Sequence, residues 1–348
     1  QAKVIIPTAE EFKERLLAIL FTVKQVGPEL LPFIDSAIEG YKQLKTKPGS
    51  LKVYVNCQKH ITAYQLAQKK PITFDRLNKA FLNDFAAYLI ALGLNDNYCH
   101  KLIKTLKMFV RQALEEQGLE EVKPAIEKFL ALPNPFELKE TDKVYLNEAE
   151  IQQLFDMKLE ERLANARDLL LVGCLTGLRY SDFSTIKPEN IQRIEHGGQS
   201  VLSLIKTNQK TKQRVVLPLV HPILLAILEK NNWKAPRPIS SQKLNDYLKE
   251  VCKLAGFTGK VEVNYYQGQE HKQRVFEKWE LITTHTGRRS FATNAYKRGI
   301  PIKEIMQFTG HKTIASFLQY IKTTGEETAV ILSEHEFFTG KSPLKLVN

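Results

Sequence analysis

A Pro-Asn-Pro tripeptide at residues 133–135 divides the chain into two parts. Proline lacks a backbone donor and clashes with the preceding turn of a helix, so the helical pattern upstream must end there. A polar stretch follows, and Asn147 with Glu150 three residues later is typical of a capping box at the start of a new helix. The sequence therefore predicts a first domain over residues 1–138 and a second over residues 143–348, each long enough to have its own core.

The first domain is predicted to be helical, behind an N-terminal extension. Its apolar residues recur at helical intervals and do not alternate as they would in a strand. The residues that carry this pattern are Phe12, Leu16, Ile19 and Leu20, and then Leu66, Phe74, Leu77, Phe81, Phe85 and Leu89.

The charge of the chain is strongly positive, with 50 Lys and Arg residues against 38 Asp and Glu residues, a net +12. Such an excess favours a polyanionic partner, and nucleic acid is the first candidate. Residues 41–110 alone carry 12 Lys or Arg against 3 Asp, a local charge of +9. On the helix predicted after His100, one side is apolar and the other is basic; the cations are Lys101, Lys104, Lys107 and Arg111. This face could follow a phosphate backbone, or it could be an ordinary solvated face.

The second domain is predicted to be mainly helical with small β-hairpins. Two strands, at 201–206 and 214–219, are separated by a polar turn at 207–211, and weak alternation over 261–283 suggests another hairpin. Helices are predicted at 167–178, 222–230, 242–255, 286–298, 301–310 and 313–322. The fold class is therefore mainly α with small hairpins, an α+β arrangement.

Six polar residues stand at the boundaries of these elements, from which side chains can converge. They are Arg179, Lys210, His285, Arg288, His311 and Tyr320, the last on the predicted helix 313–322. Arginine presents a planar fork that matches phosphate oxygens, and the set has neither the clustered carboxylates of a magnesium site nor the i, i+4 histidines of a zinc helix. The chemistry indicated is metal-free phosphoryl transfer with a tyrosine nucleophile.

Each of these residues, taken singly, also has an ordinary structural explanation. An arginine can cap a helix end, and a tyrosine on an amphipathic helix is often half-buried core. In the polar turn, Lys206 and Lys212 compete with Lys210 for any role.

The order and spacing of the whole set resemble the signature of the tyrosine recombinase, or phage integrase, family. The matching motifs are Thr-Gly-Leu-Arg at 176–179, Lys-Thr at 210–211 eight residues before Pro218, His-x-x-Arg at 285–288, Gly-His at 310–311, and Tyr320 nine residues after that His. The resemblance covers residues 143–325, and by weaker analogy the first domain resembles a core-binding domain of the SAM-like type. The residues of these motifs are most similar to those of integrases of Bacteroidetes mobile elements.

The resemblance implies a role for each residue of the signature. Tyr320 is expected to attack a scissile phosphate and form a 3′-phosphotyrosyl intermediate, while Arg179 and Arg288 bind the non-bridging oxygens. Lys210 is expected to protonate the leaving 5′-oxygen. His285 is expected to exchange a proton with the tyrosine, and His311 to hydrogen-bond the phosphate.

The resemblance also implies partners. These are double-stranded DNA, a Holliday junction intermediate, a homotetramer assembled on the DNA, and accessory DNA-bending proteins; no cofactor and no metal are expected. The apolar tail formed by Ala329, Val330, Ile331, Leu332, Phe337 and Phe338 is expected to dock on a neighbouring subunit or to pack on its own domain.

Two other functions stay open on the sequence alone. A type IB-like topoisomerase shares the arginine, lysine and tyrosine chemistry, and a non-catalytic relative would use the same fold only to occupy DNA.

The sequence contains neither a leader pattern nor an apolar run of membrane-spanning length, and its four cysteines form no Cys-x-x-Cys pair. We therefore expect a cytoplasmic protein with reduced thiols and no membrane association.

Overall fold

The computed structural model describes residues 28–117, 119–140, 143–321, 325–333 and 337–339. It is mainly helical with two small antiparallel sheets, which confirms the predicted fold class. Contacts between Cα atoms divide the chain into two compact units: Gln1–Lys139 with Asn264–Lys272, and Glu140–Val263 with Gln273–Asn348. The helix predicted around Phe12, Leu16, Ile19 and Leu20 lies outside the described residues.

The first unit consists of helices around one apolar core. They are α1 (Leu30–Gln43), α2 (Pro48–Gln68), α3 (Lys79–Ala91), α4 (Asp96–Gln117) and α5 (Lys123–Ala131), with a 3₁₀ turn at Phe74–Arg76. Helix α3 begins where the Asn78 side chain accepts a hydrogen bond of 3.0 Å from the backbone of Phe81. The apolar side of α4 is fully buried, as its wheel predicts.

One member of the predicted apolar pattern lies in a helix but not in the core. Leu66 is 72% exposed near the end of α2, whereas Phe74, Leu77, Phe85 and Leu89 are buried. The chain leaves the helix after Gln68, so Leu66 does not share a face with the residues that follow. Apolar spacing that continues across a helix end therefore does not indicate a common buried face.

The second unit contains the remaining elements. Its helices are α6 (Glu148–Asp156), α7 (Glu161–Thr176), α8 (Tyr180–Phe183), α9 (Pro222–Lys230), α10 (Ser241–Leu254), α11 (Thr284–Lys297), α12 (Ile302–Thr309), α13 (Ile314–Leu318) and α14 (Gly325–Ser333). Its strands are β1 (Ile191–His196), β2 (Gln199–Thr207), β3 (Arg214–Pro218), β4 (Lys260–Gln267) and β5 (Glu270–Glu277). Residues at the hairpin tip between β4 and β5 group with the first unit.

Helix α7 is the centre of the second unit. Its residues from Ala166 to Cys174 are all buried, as expected for a helix that is covered on every side. Helix α11 packs directly on it, because a Cβ atom on Gly287 would come within 3.0 Å of the Gly173 backbone. This close approach brings the end of α7 next to the start of α11, where several of the polar side chains described below lie.

The sheets agree with the predicted hairpins and add one strand. Strands β2 and β3 pair antiparallel, and β4 pairs with β5, as predicted. The sequence did not predict β1, which pairs antiparallel with β2 at the other edge. Only Ile191 and Ile194 of β1 are partly buried, so the apolar alternation that would mark a strand is weak.

The start of α6 agrees with the sequence prediction, whereas the end of α13 does not. The capping box at Asn147 and Glu150 is present, with hydrogen bonds of 2.9 and 2.8 Å. The helix predicted over 313–322 is shorter, because α13 ends at Leu318 and Tyr320 lies in a turn beyond it. Within the described part of the chain, no helix combines the length and apolarity needed to cross a bilayer.

Candidate active site

The Tyr320 side chain lies beside residues of both the His-x-x-Arg motif and the Gly-His motif. Its hydroxyl is 3.0 Å from Nε2 of His285, at the start of α11. Its ring centroid is 4.6 Å from the ring of His311 and 5.6 Å from the guanidinium carbon of Arg288. The placement of Tyr320 in a turn, rather than on a helix, brings the hydroxyl to these groups.

Arg288 is held from two sides beneath the tyrosine. Only 1% of its surface is exposed. It donates to the carbonyl of Gly177 at 2.7 Å and to the carbonyl of Thr309, and the second of these nitrogens is 3.3 Å from Nε2 of His311. Burial, and then the nearby charge of Arg179, lower the pKa of Arg288 to about 10. The fold therefore holds this guanidinium where its charge is poorly compensated.

Arg179 enters the site from the turn that ends α7. Gly177 closes that helix in the left-handed region at a φ of 65°, and any side chain there would collide with the ring of Phe291. Arg179 is then the first residue before α8, and its Nη1 is buried without a hydrogen-bond partner. Its charge acts on Arg288 and on both site histidines. The two arginines thus form a cationic site suited to an anion.

Both histidines are held in the neutral form. Removal from water, and then the surrounding arginine charges, lower the pKa of His285 to about 4 and that of His311 to about 3. The Thr309 hydroxyl donates to the Ile305 carbonyl at 2.9 Å, so it accepts from Nδ1 of His311 at 2.8 Å. That arrangement leaves Nε2 of His311 with a lone pair that faces Arg288.

Lys210 lies in the polar turn between β2 and β3 and is exposed. Within the described residues, no hydrogen bond or ion pair involves its ammonium, and the structure does not bring it into contact with Tyr320. Lys206, a competitor for its role, donates to the Thr185 carbonyl at 2.7 Å. Lys212 is also exposed, at a φ of 58°.

Residues beside the predicted set also belong to the site. Asp182 is fully buried; one carboxylate oxygen accepts from the backbone of Gln209 at 2.8 Å and the other is unpaired. It lies three residues after Arg179 and raises the pKa of Arg288, against the larger effect of burial. Asn208 is fully buried in the same turn as Lys210. The position of Asp182, one helical turn after Arg179, is a sequence feature that could have indicated it as a site residue. No feature of the sequence indicates that Asn208 is buried.

The predicted basic face of α4 divides into two kinds of residue. Lys101, Lys104 and Arg111 are exposed beside a groove of about 660 Å³. Lys107 instead donates to the carbonyls of Leu130, at 3.4 Å, and Leu132 after the end of α5. Burial, and then the charge of Arg111, lower its pKa. Lys107 therefore caps a neighbouring helix, while the other three cations face solvent.

The combined arrangement suits phosphoryl transfer. Two guanidiniums with free N–H groups can bind the oxygens of a phosphate, and a neutral imidazole at 3.0 Å can take the proton of a tyrosine hydroxyl. Within the described ranges, no group of three or more His, Cys, Asp or Glu side chains could hold a metal ion.

Comparisons with known proteins agree with this geometry. Residues 29–129 match the phage integrase SAM-like domain, and residues 144–327 match the phage integrase family. The putative integrase/recombinase y4qK of Sinorhizobium fredii is 23% identical over 272 residues, which are 77% of this chain and 79% of that protein. The tyrosine recombinase XerA of Pyrococcus furiosus is 26% identical over 259 residues, 70% of this chain and 75% of that protein.

Solved structures share the fold at low sequence identity. A lambda integrase dimer bound to a COC′ core site has a TM-score of 0.57 and 18% identity, covering 84% of this chain and 95% of that chain. The Tn1549 transposon integrase in complex with transposon right end DNA has a TM-score of 0.56 and 13% identity, covering 88% of this chain and 99% of that chain. Since the family profile spans more than half of its residues, the chain belongs to the phage integrase family, the tyrosine recombinases.

Proposed function

We propose that the chain is a site-specific DNA recombinase that cleaves and rejoins strands through a 3′-phosphotyrosyl intermediate. The observation that carries this proposal is the Tyr320 hydroxyl, 3.0 Å from a neutral His285 and beside the cationic site of Arg179 and Arg288. The reaction serves integration or excision of a mobile element.

The cleavage step conserves bond energy. The Tyr320 oxygen attacks the scissile phosphorus, and its proton passes to Nε2 of His285, which is free to accept it at neutral pH. As the tyrosine–phosphorus bond forms, the bond to the 5′-oxygen breaks, and Lys210 supplies a proton to that oxygen. Attack by a 5′-hydroxyl on the phosphotyrosine reverses the step, so the reaction requires no nucleotide cofactor.

The two arginines stabilise the charge that develops on the phosphate. Nη1 of Arg179 and Nε of Arg288 are buried donors without partners, and non-bridging phosphate oxygens are the acceptors that would satisfy them. Loss of one such donor costs roughly 10²–10³-fold in rate. The phosphate charge opposes the arginine charges beside His311 and so raises the pKa of His311, which favours the protonated Nε2 that the proposed hydrogen bond to the phosphate needs.

Double-stranded DNA is the proposed substrate. The exposed cations Lys101, Lys104 and Arg111 support a role for residues 1–138 as a core-binding domain that contacts the phosphate backbone, while residues 143–348 form the catalytic domain. The lambda integrase structure is bound to a COC′ core site and the Tn1549 integrase structure to transposon right end DNA, which is consistent with this assignment. A Holliday junction is the proposed intermediate between the two rounds of strand exchange.

The active assembly is proposed to be a homotetramer on two DNA sites. Helix α14 and the residues after it leave large apolar side chains in solvent: Val330 is 71% exposed, Phe337 66% and Phe338 61%. Such a surface supports docking of the tail on a neighbouring subunit. Accessory DNA-bending proteins and a cytoplasmic location are consistent with the same activity. The residues of the motifs support a Bacteroidetes mobile element as the source of the protein.

Covalent trapping tests the proposal directly. Wild-type protein first selects its target site from a random-sequence library of nicked duplexes, by covalent attachment in EDTA followed by denaturing purification. We expect a protein–DNA adduct through a 3′-phosphate with wild type and none with Tyr320→Phe. Restoration of cleavage only by added Mg²⁺ would contradict the mechanism.

A second reaction separates recombination from its alternatives. Wild-type protein incubated with two duplexes carrying the selected site should exchange strands between them. Relaxation of supercoiled plasmid by dilute monomer, without any recombinant product, would instead indicate a topoisomerase. Tight binding without an adduct would indicate a non-catalytic relative.

A further inference from the structure

In the described residues, the buried side-chain atoms without a hydrogen-bond partner come from three segments that contribute to the candidate active site or lie next to it in sequence. Within the described part of the chain, every buried side-chain nitrogen or oxygen that lacks a hydrogen-bond partner belongs to Arg179, Asp182, Asn208, Thr211 or Arg288. Unpaired buried groups reduce stability, so a cluster of them calls for a functional explanation. The proposed phosphate site accounts for the arginines, but it does not account for Asn208.

The turn that contains Asn208 does not require the Asn208 side chain to be buried. Its backbone closes the turn, because it donates to the Gln213 carbonyl and accepts from the Lys212 N–H, both at 2.9 Å. Its side chain is 0% exposed, and both the amide nitrogen and the amide oxygen are unpaired. A small apolar residue would close the same turn without burying an unpaired amide.

The amide of Asn208 packs where Gly310 has no side chain. A Cβ atom on residue 310 would collide with Nδ2 of Asn208, and it would lie 3.4 Å from Oγ1 of Thr211. Gly310 ends α12 at a φ of 64° and directly precedes His311. The Asn208 side chain therefore determines how closely the turn approaches the backbone that holds His311.

The same turn is bonded to the segment that holds Arg179. The backbone N–H of Gln209 donates to Asp182 at 2.8 Å, and its side chain donates to the Ser181 carbonyl at 2.9 Å. Lys210 comes next in sequence, with an exposed ammonium on a flexible stem. Since its head group is unanchored, the position of the turn decides which atoms that ammonium can reach.

We infer that Asn208 is a positioning residue for Lys210. Its buried amide, packed against Gly310, holds the β2–β3 turn in the position from which the Lys210 ammonium reaches the leaving 5′-oxygen. The inference rests on the proposed function, in which Lys210 protonates that oxygen. Asn208 itself does not touch the reacting atoms.

A substrate that needs no acid tests this role. In a nicked duplex with sulfur in place of the bridging 5′-oxygen, a thiolate leaves without protonation. Wild type, Lys210→Ala and Asn208→Ala are compared in single-turnover cleavage of the library-selected site, with oxygen and with sulfur at that position. We expect Asn208→Ala to be about 10²-fold slower than wild type on the oxygen substrate, as for a misplacement of about 1 Å, and to recover most of the wild-type rate on the sulfur substrate.

The outcomes separate this inference from the proposed function. Rescue of Lys210→Ala but not of Asn208→Ala by sulfur would overturn the positioning role alone. Failure of sulfur to rescue Lys210→Ala would refute the general-acid assignment and the inference with it. A wild-type rate of Asn208→Ala on the oxygen substrate would also overturn the inference.

Two further variants guard the comparison. If Asn208→Ala does not fold, Asn208→Asp keeps the side-chain volume and removes the N–H donors. The same sulfur rescue is expected, because a carboxylate is disfavoured in this buried place against Gly310 and the turn shifts to expose it. Asn165→Ala is the matched control, since that amide donates to the Arg237 carbonyl at 2.9 Å outside the cluster. It should leave both rates unchanged.

Discussion

Replacing Arg288 by methionine should separate catalysis from stability. Methionine keeps the length of the side chain but removes the guanidinium, which donates to the carbonyls of Gly177 and Thr309. Leaving two buried carbonyls unpaired costs about 1–3 kcal/mol each. Against this, a pKa lowered to about 10 means that the fold disfavours the charged form by about 3 kcal/mol, a cost that methionine removes.

The two carbonyls together cost about 2–6 kcal/mol, so Arg288→Met should lose at most about 3 kcal/mol of stability on balance, less than the roughly 5–15 kcal/mol of a typical domain. Activity should respond far more strongly, because loss of a donor to the developing phosphate charge costs roughly 10²–10³-fold in rate. Urea unfolding measures the first quantity, and the single-turnover rate of adduct formation measures the second. The variant should be folded and nearly inactive.

Arg289→Met is the matched control for this prediction. Arg289 is the adjacent residue, is 6% exposed, and also has its pKa lowered to about 10 by burial. Its guanidinium donates to the Val144 carbonyl at 2.9 Å and to the Thr286 hydroxyl at 3.0 Å. We expect a similar loss of stability with a much smaller loss of rate. If Arg288→Met is unfolded at 25 °C, or forms adduct as fast as Arg289→Met, then the reasoning fails.

Three further predictions concern pH, salt and assembly. Below pH 6.5 the unfolded chain protonates His285 and His311, while the folded chain keeps them neutral down to their pKa values of about 4 and about 3. Urea titrations should therefore show the free energy of unfolding falling from pH 6.5 to about 4, by at most about 1.4 kcal/mol per pH unit for each histidine and by less for His285, whose side chain is only partly removed from water. His311→Asn should flatten the slope. DNA affinity should fall by orders of magnitude between about 50 and 200 mM salt; Lys101→Ala should reduce that dependence by about one phosphate contact, whereas Lys107→Ala should mainly destabilise the first unit. Truncation before Val330 should weaken tetramer formation on DNA, as measured by light scattering, while leaving monomer binding to a single site unchanged.

Features encoded by local chemistry were predictable from the sequence. The capping box at Asn147 requires only residues three apart, and Gly310 ends α12 because a left-handed residue is needed there. The β2–β3 hairpin followed from two apolar strands around a polar turn. In each case the signal lies within a few residues of the structure that it determines.

Features determined by distant contacts were not predictable. Strand β1 is mostly exposed, and with only Ile191 and Ile194 partly buried it has little apolar alternation from which a strand could be predicted. Apolar spacing extended the helix before Tyr320 too far, because packing against α11 and His311, rather than propensity, fixes where that tyrosine lies. Nothing near Asn208 in the sequence indicates that its side chain is buried against Gly310.

The glycines of the signature link these two kinds of information. Gly287 and Gly310 each directly precede a site residue, Arg288 and His311. At Gly287 a Cβ atom would press on the backbone of α7, and at Gly310 it would collide with Asn208. A motif that appears in the sequence as a spacing of polar residues therefore also contains the contacts that bring those residues together. Gly287→Ala should thus separate α11 from α7 and reduce adduct formation although no polar group is lost; an unchanged rate would show that the site tolerates that separation, and that the close approach of the two helices serves packing alone.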